Sequence, residues 1–230
     1  KLVSIDDGLR GNIYDKNGIL LVGNKKVYNL TYHYNENEDI LEILKFLYNN
    51  FNINKDESLE IYHYVVDKSV NIKINLNGEN AKVVYHLSII SNNDNVCKID
   101  VNHMSSNTES KIICHGVNTG NKKLEFNVTG LVPKDMDKCI CNQENQIINL
   151  KDGESVIKPN LLIRNYDTFS NHAAYIGEFS KDKMFYLESR GISEEDAIRL
   201  LMKGLLLGDG DRENVIVKEF MDNLKEAYNG

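Results

Sequence analysis

From Ser58 onward, apolar and polar residues alternate in short bursts over some hundred positions: IYHYVV, VNIKINLNG, KVVYHLSIIS, VCKIDVNHM, KIICHGV, KLEFNVTGLV, QIINLK and SVIKPNLLIR. Each burst is rich in β-branched residues and is followed by Asn, Asp, Gly or Ser. Their spacing of roughly 10 to 15 residues, without helical periodicity between them, predicts an all-β body. In VNIKINL, Val70, Ile72, Ile74 and Leu76 point one way and Asn71, Lys73 and Asn75 the other, as a half-buried strand requires. Two architectures satisfy this pattern, a sandwich or a solenoid whose coils stack. With no exact internal repeat, periodicity leaves both open.

The flanks read differently. Ile19 to Val22 and Val27 to Tyr34, joined by turns at Lys16-Asn17-Gly18 and Gly23-Asn24, predict a small hairpin. DILEILKFLYNN, from Asp39 to Asn50, places Ile40, Ile43, Leu44 and Leu47 on one helical face. After a chain reversal at Asn171, Ser180 can cap a helix over Lys181 to Ser189, with Met184, Phe185 and Leu187 as a compact apolar face. Gly191 ends it, since glycine enters the left-handed conformation at little cost. Ser193 opens a second helix with Glu194, Glu195 and Asp196 in its first turn, where carboxylates meet the positive end of the dipole. There Ala197, Leu200, Leu201 and Gly204 form a stripe. Beyond Gly208-Asp209-Gly210-Asp211, a third helix is expected from about Glu213 to Tyr228. These elements divide the chain into a cap (1–57), a β body (58–177) and a helical region (178–230).

Length, charge and cysteine usage narrow the class. The 230 residues, 41% of them hydrophobic, suffice for one substantial core. A net charge of -7 argues against a nucleic-acid surface, which needs concentrated Lys and Arg. No apolar run approaches the roughly 20 residues that cross a bilayer, and KLVSIDDGLRG has no signal-peptide core, so a soluble cytosolic protein is expected. Lys at position 1 predicts a missing leader or a truncation. Cys97, Cys114, Cys139 and Cys141 do not form a secreted disulfide framework, and in a reducing cytosol they are thiols.

The residues themselves offer few chemical constellations. Cys139 and Cys141, one residue apart on an extended segment, point to the same side and can reach one soft metal such as iron or zinc, or they are ordinary thiols in a loop after Pro133. The following NQEN reads as exposed. Cys114 and His115 face opposite sides of a strand unless Gly116 bends it, so Cys114 is expected in the core. Cys97 alternates with Ile99 and Val101 and is expected there too. His172 lies at the junction of β body and helices. The chain has no G-x-x-x-x-G-K-[ST] phosphate loop, G-x-S-x-G elbow or H-E-x-x-H helix, and Glu36-Asn37-Glu38-Asp39 reads as a helix start.

One stretch carries a specific resemblance. His172, Ala173 and Ala174, then Ile176-Gly177, Met184-Phe185-Tyr186-Leu187, Ser189-Arg190-Gly191-Ile192-Ser193-Glu194-Glu195 and Ala197 resemble the C-terminal signature of the SufB/SufD family of iron-sulfur cluster assembly scaffolds. Leu76 to Ala81, Asn107 to Ser110 and Asp152-Gly153 look like steps of its β region. The resemblance runs from about Leu76 to Leu207. It implies a parallel β-helix (β-solenoid) core between a small N-terminal α/β cap and a C-terminal helical region. It also implies a non-enzymatic scaffold that holds an iron-sulfur cluster transiently and binds no nucleotide, paired with itself or with a SufB/SufD relative. A SufC-like ABC ATPase is the implied partner, docking on the helical hairpin through Phe185, Tyr186, Arg190, Leu200 and Leu201. The family's matching histidine lies where two members pair, which makes His172 the leading cluster candidate, with Cys139, Cys141, Cys114 and His115 behind it. Two departures stand out: Ser170 replaces a Cys frequent in SufD-like chains, and Ala173 replaces the Glu of SufB-like chains. The SufB cysteine expected near Asn145 is also missing. A structural adaptor without cluster chemistry is the alternative, and a carbohydrate-active solenoid enzyme, short of clustered carboxylates, a third.

Overall fold

The computed structural model describes residues 13–14, 20–22, 50–207 and 222. The chain divides into two compact units, Lys1–Tyr32 and His33–Gly230. In the first, β1 (Ile13–Tyr14) pairs antiparallel with β2 (Leu20–Val22), so the hairpin partner of the Ile19–Val22 run lies before it in sequence. The expected strand Val27–Tyr34 and the helix over Asp39–Asn50 lie outside the described residues, apart from Asn50. So does the third C-terminal helix, except for Asp222, which is helical.

In the second unit, ten strands wind into a β-solenoid of two parallel five-stranded sheets. One holds β3 (Asn50–Ile53), β5 (Val70–Leu76), β7 (Asn95–His103), β9 (Leu124–Val132) and β11 (Ser155–Ile163). The other holds β4 (Ser58–Val66), β6 (Lys82–Ser91), β8 (Glu109–Asn118), β10 (Cys139–Asn149) and β12 (Thr168–Gly177). Each strand pairs with the strand two steps away in sequence, so every coil contributes one strand to each sheet. The parallel β-helix expectation holds and the sandwich is excluded. Its strands begin at Asn50, eight residues before the expected start of the β body.

Equivalent residues therefore stack in columns. Ser58, Lys82, Glu109, Ile140 and Phe169 are successive register partners. Two residues before the first four of them stand Asp56, Asn80, Asn107 and Lys138, all with positive φ between 56° and 61°. Four of the five coils turn this corner through one left-handed residue, at three of them an Asp or Asn, which tolerate the conformation better than most. Unequal spacing between these corners explains why no repeat shows in the sequence. Outside, amides form ladders: Asn102 donates to Asn75 Oδ1 at 2.9 Å, and Asn75 to Asn52 Oδ1 at 3.0 Å.

Inside, the alternation is met as expected. Val70, Ile72, Ile74 and Leu76 are buried with Cys97, Ile99, Val101, Cys114, Leu124 and Phe126 in one core. Each large side chain there contributes roughly 1.5–3 kcal/mol through removal from water. Two histidines share this interior. His63 Nδ1 lies 2.7 Å from the Tyr85 hydroxyl, and His103 is fully buried.

Two helices follow, α1 (Lys181–Glu188) and α2 (Glu194–Leu207). Ser180 stands at the N-cap of α1 without a side-chain capping bond, whereas Ser193 Oγ accepts from the Asp196 N–H at 3.2 Å. Gly191 takes φ 82° between them. No residue of α1 is buried, so its expected apolar face does not enter the described core.

Burial lowers both interior histidines, His63 to about 4 and His103 to about 4, from an ordinary value of 6.5. Below pH 6.5 the unfolded chain takes up protons that the folded chain refuses. This stability is complete above about pH 6.5 and is lost as pH falls toward 4, by up to about 3 kcal/mol per histidine. Urea midpoints measured from pH 8 to 4 should fall over that window, with a shallower fall in His103→Asn.

Candidate functional site at the last coils

The inner columns change character toward the last coil. At one corner position Thr108-Glu109-Ser110, Cys139-Ile140-Cys141 and Thr168-Phe169-Ser170 lie on successive coils, with Cys141 in register with Ser110 below and Ser170 above. Strand alternation turns both thiols of β10 inward, where they pack with Val132, Met136, Leu161 and Ile163. The extended segment with both thiols on one side is met, while the loop alternative and the exposed surroundings are corrected: both cysteines belong to a strand, and both are buried free thiols. NQEN is not a uniformly exposed run either, because its alternate members Gln143 and Asn145 point inward and are buried.

A buried network ties the two thiols together. His103 Nδ1 is 2.7 Å from Thr108 Oγ1, and its Nε2 is 2.9 Å from Ser110 Oγ. Thr108 donates to the Ser105 carbonyl, so its oxygen accepts from Nδ1–H, and Nε2 accepts the Ser110 hydroxyl proton. Thr108 Oγ1 also touches Cys139 Sγ at 3.3 Å. Burial pushes the Cys141 thiol up, a hydrogen bond with Ser110 opposes this, and neighbouring Cys139 adds to the rise. Both sulfurs are buried, with a hydroxyl beside each. His103 carried no sequence signal beyond its place on an inward-facing β7 position.

Next along β10, polar atoms are buried without a hydrogen-bond partner among the described residues: Gln143 Oε1, Asn145 Oδ1 and Nδ2, with Ser170 Oγ on β12. Each unmet group costs roughly 1–3 kcal/mol. His172 is the register partner of Gln143 on β12, and it is exposed. Backbone pairing thus brings His172 into line with the Cys141, Gln143 and Asn145 strand. The other pair is separated. Cys114 lies in the apolar core, while His115 faces the opposite side of β8 and meets α2, with Nδ1 2.8 Å from the Leu205 carbonyl. Among the described residues, no group of three or more His, Cys, Asp or Glu side chains is placed to hold a metal ion.

On the helical hairpin the structure rotates the expected stripe. Ala197 is buried, but Leu200 is 49% exposed and Gly204 is exposed. The packed face consists of Ile198, Met202, Leu205 and Leu206, against Tyr64, Ile90, Val117, Leu150 and Phe179, with Leu207 buried there too. Leu201 is half-buried. Phe185 and Tyr186 of α1 are 72% and 55% exposed, and the Arg190 guanidinium lies 4.9 Å from the Tyr186 ring centre.

A two-sheet parallel solenoid carrying a C-terminal helical hairpin defines the structural class. The family described as SUF system FeS cluster assembly, SufBD core domain, matches residues 29–205, and the chain belongs to that family. It is 32% identical over 105 residues to the iron-sulfur cluster assembly protein SufD of Bacillus subtilis (strain 168), covering 45% of this chain and 24% of that protein. A SufBD family iron-sulfur cluster assembly protein of Galdieria sulphuraria is 31% identical over 105 residues (44% and 47%), and one of Pyropia yezoensis 26% over 134 (56% and 27%). The matched region spans less than half the length of each of these relatives. No helix among the described residues is long and apolar enough to cross a membrane.

Gly130, on the adjoining inner face of β9, makes room for the Cys141 sulfur. A Cβ built there falls 2.4 Å from Cys141 Sγ and 3.3 Å from Leu161 Cδ2. Gly130→Ala should cost roughly 1–3 kcal/mol in urea denaturation through overpacking. Adding Cys141→Ala should recover most of it.

Proposed function

We propose that this chain is a non-enzymatic scaffold of a SUF-type assembly complex, holding an iron-sulfur cluster in transit while a SufC-like ABC ATPase works on its helical hairpin. The observation that carries the reading is the family match over residues 29–205, which takes in both the last coils and the hairpin. The cluster is cargo, and the nucleotide belongs to the ATPase. Soft thiolates suit iron, and Cys139, Cys141 and His172 are the donors proposed for it, although the described arrangement does not gather the three around one ion. A cluster is commonly held by four protein ligands, so a second chain is proposed to supply the remainder. β12 supports pairing with a second copy or a relative: it ends its sheet, and Phe169, Tyr175 and Ile176 are 62%, 50% and 43% exposed along it.

On the hairpin, exposed Phe185, Tyr186 and Leu200 are the proposed ATPase contacts, with Arg190 stacked behind Tyr186 and half-buried Leu201 supporting them. Co-expression with the ATPase of the same organism, followed by size-exclusion chromatography with mass detection, should yield a stable complex. Leu200→Asp or Phe185→Ala should weaken it at least tenfold while leaving the fold intact. A chain that elutes alone and folded would remove the docking assignment.

The second reading is an adaptor that binds the ATPase but has lost cluster chemistry. Ser170 and Ala173, standing where relatives of the SufD-like and SufB-like kinds carry Cys and Glu, favour it. Anaerobic reconstitution with iron and sulfide separates the two. The scaffold should develop visible cluster absorbance, lost in Cys139→Ser/Cys141→Ser and reduced in His172→Ala. A colourless but folded wild type would leave the adaptor.

A further inference from the structure

Sulfur gathers at the corner between β9 and β10. The turn over residues 133–138 is closed by the Met136 N–H, which donates to the Pro133 carbonyl at 3.3 Å. Its neighbours Lys134, Asp135, Asp137 and Lys138 are exposed, while Met136 is half-buried and packs against Cys139 and Cys141. Two thiols and a thioether thus share one packed cluster within the run Met136-Asp137-Lys138-Cys139-Ile140-Cys141. Around Cys139 Sγ stand backbone acceptors, the carbonyls of Ser105 and Met136 at 3.5 Å and of Asp137 at 3.7 Å. A proton or a small cation suits the space beside that sulfur, and an anion does not. Gly130 leaves room beside the other sulfur, since a Cβ there would collide with Cys141 Sγ. The rest of the lining is apolar, with Val132, Leu161 and Ile163. Zinc in a structural site takes four donors, and among the described residues no His, Asp or Glu is placed to join the two thiols. Thiolate and thioether sulfur suit Cu(I), whose filled d shell accepts two or three such donors.

We propose that Met136, Cys139 and Cys141 form a three-sulfur site for one Cu(I) ion, entered from the corner turn that carries Met136. The strand holds the two thiols on one side, and the unbranched, flexible methionine brings its thioether to the ion from the surface. Both thiols give their protons to solvent as the ion binds, no electron moves, and copper stays Cu(I). Binding therefore tightens as pH rises. These are the thiols that the scaffold reading assigns to iron, so under that reading Cu(I) is a competitor for the cluster. The copper site itself does not rest on that reading.

Anaerobic titration of the whole, iron-free chain with Cu(I), against bicinchoninate as competing chelator, tests this without any partner. One Cu(I) should bind per chain, and X-ray absorption at the copper edge should show sulfur neighbours only. Cys139→Ser/Cys141→Ser should abolish binding. Met136→Leu, at a half-buried corner position where the fold tolerates it, should weaken binding about tenfold to a hundredfold, the scale of losing a supporting group at a metal site. Cys97→Ala/Cys114→Ala should bind as the wild type does, because those thiols lie in the separate apolar core. Binding that survives in Cys139→Ser/Cys141→Ser, or copper with nitrogen neighbours, would overturn the site. An unchanged affinity in Met136→Leu would remove the third sulfur, and zinc held as tightly as Cu(I) would remove the selectivity. A chain that forms a cluster but takes up no Cu(I) would count against this proposal alone. One that binds Cu(I) yet stays colourless with iron and sulfide would count against the scaffold reading alone.

Discussion

Every coil of this molecule must hand its backbone N–H and C=O groups to the coils on either side. That obligation, met by parallel ladders about 4.8 Å apart, is what the remaining structure depends on. Once neighbouring strands are locked in register, side chains lose the freedom to choose neighbours. Residues with no sequence relationship, such as Ser110, Cys141 and Ser170, become a column. The same obligation makes four of the five corners alike, with a left-handed residue at Asp56, Asn80, Asn107 and Lys138.

Columns let composition change along the solenoid axis without changing the fold. Early coils fill the interior with Ile, Val and Leu, which suffice for stability. The later ones place hydroxyls, then thiols, then amides, and several of those amide atoms have no partner among the described residues. A lining of that kind gives up stability relative to an apolar one. The candidate site proposed above thus coincides with the least finished part of the core, held by coils that are finished.

The outer surface follows a different logic at the hairpin. An apolar face on α2 would let the helix slide or rotate over Ile90 and Val117, because burial is non-directional. Hydrogen bonds from Ser88 and His115 to two consecutive carbonyls fix its position along its own axis. Charged helix caps ordinarily come from the helix itself; here the sheet supplies neutral donors. Orientation of the exposed side, with Phe185, Tyr186 and Leu200, is thereby tied to the strands rather than left to the helix alone.

Local pattern sufficed for much of this. Period-two alternation in VNIKINL identified an inner face, since a strand has only two; Gly191 and Ser193 announced a helix end and start because their backbone demands are local. The core placement of Cys97 and Cys114 followed from the same alternation. Sequence resemblance decided between solenoid and sandwich, where alternation alone was mute. What the chain could not disclose was every relation between coils. NQEN looked exposed because polarity was read one residue at a time, whereas strand geometry buries Gln143 and Asn145 whatever their polarity. Leu200 looked like part of a packed stripe, but the covered side of α2 is the one whose Met202 and Leu206 meet Tyr64, Ile90 and Val117 of distant strands. His103, thirty-eight residues before Cys141, joins its network only because the coils stack. The sequence by itself determined strand phase, the bounds of the two hairpin helices and family; tertiary structure alone decided who stands beside whom, because register and docking are set by long-range backbone pairing that no local pattern contains.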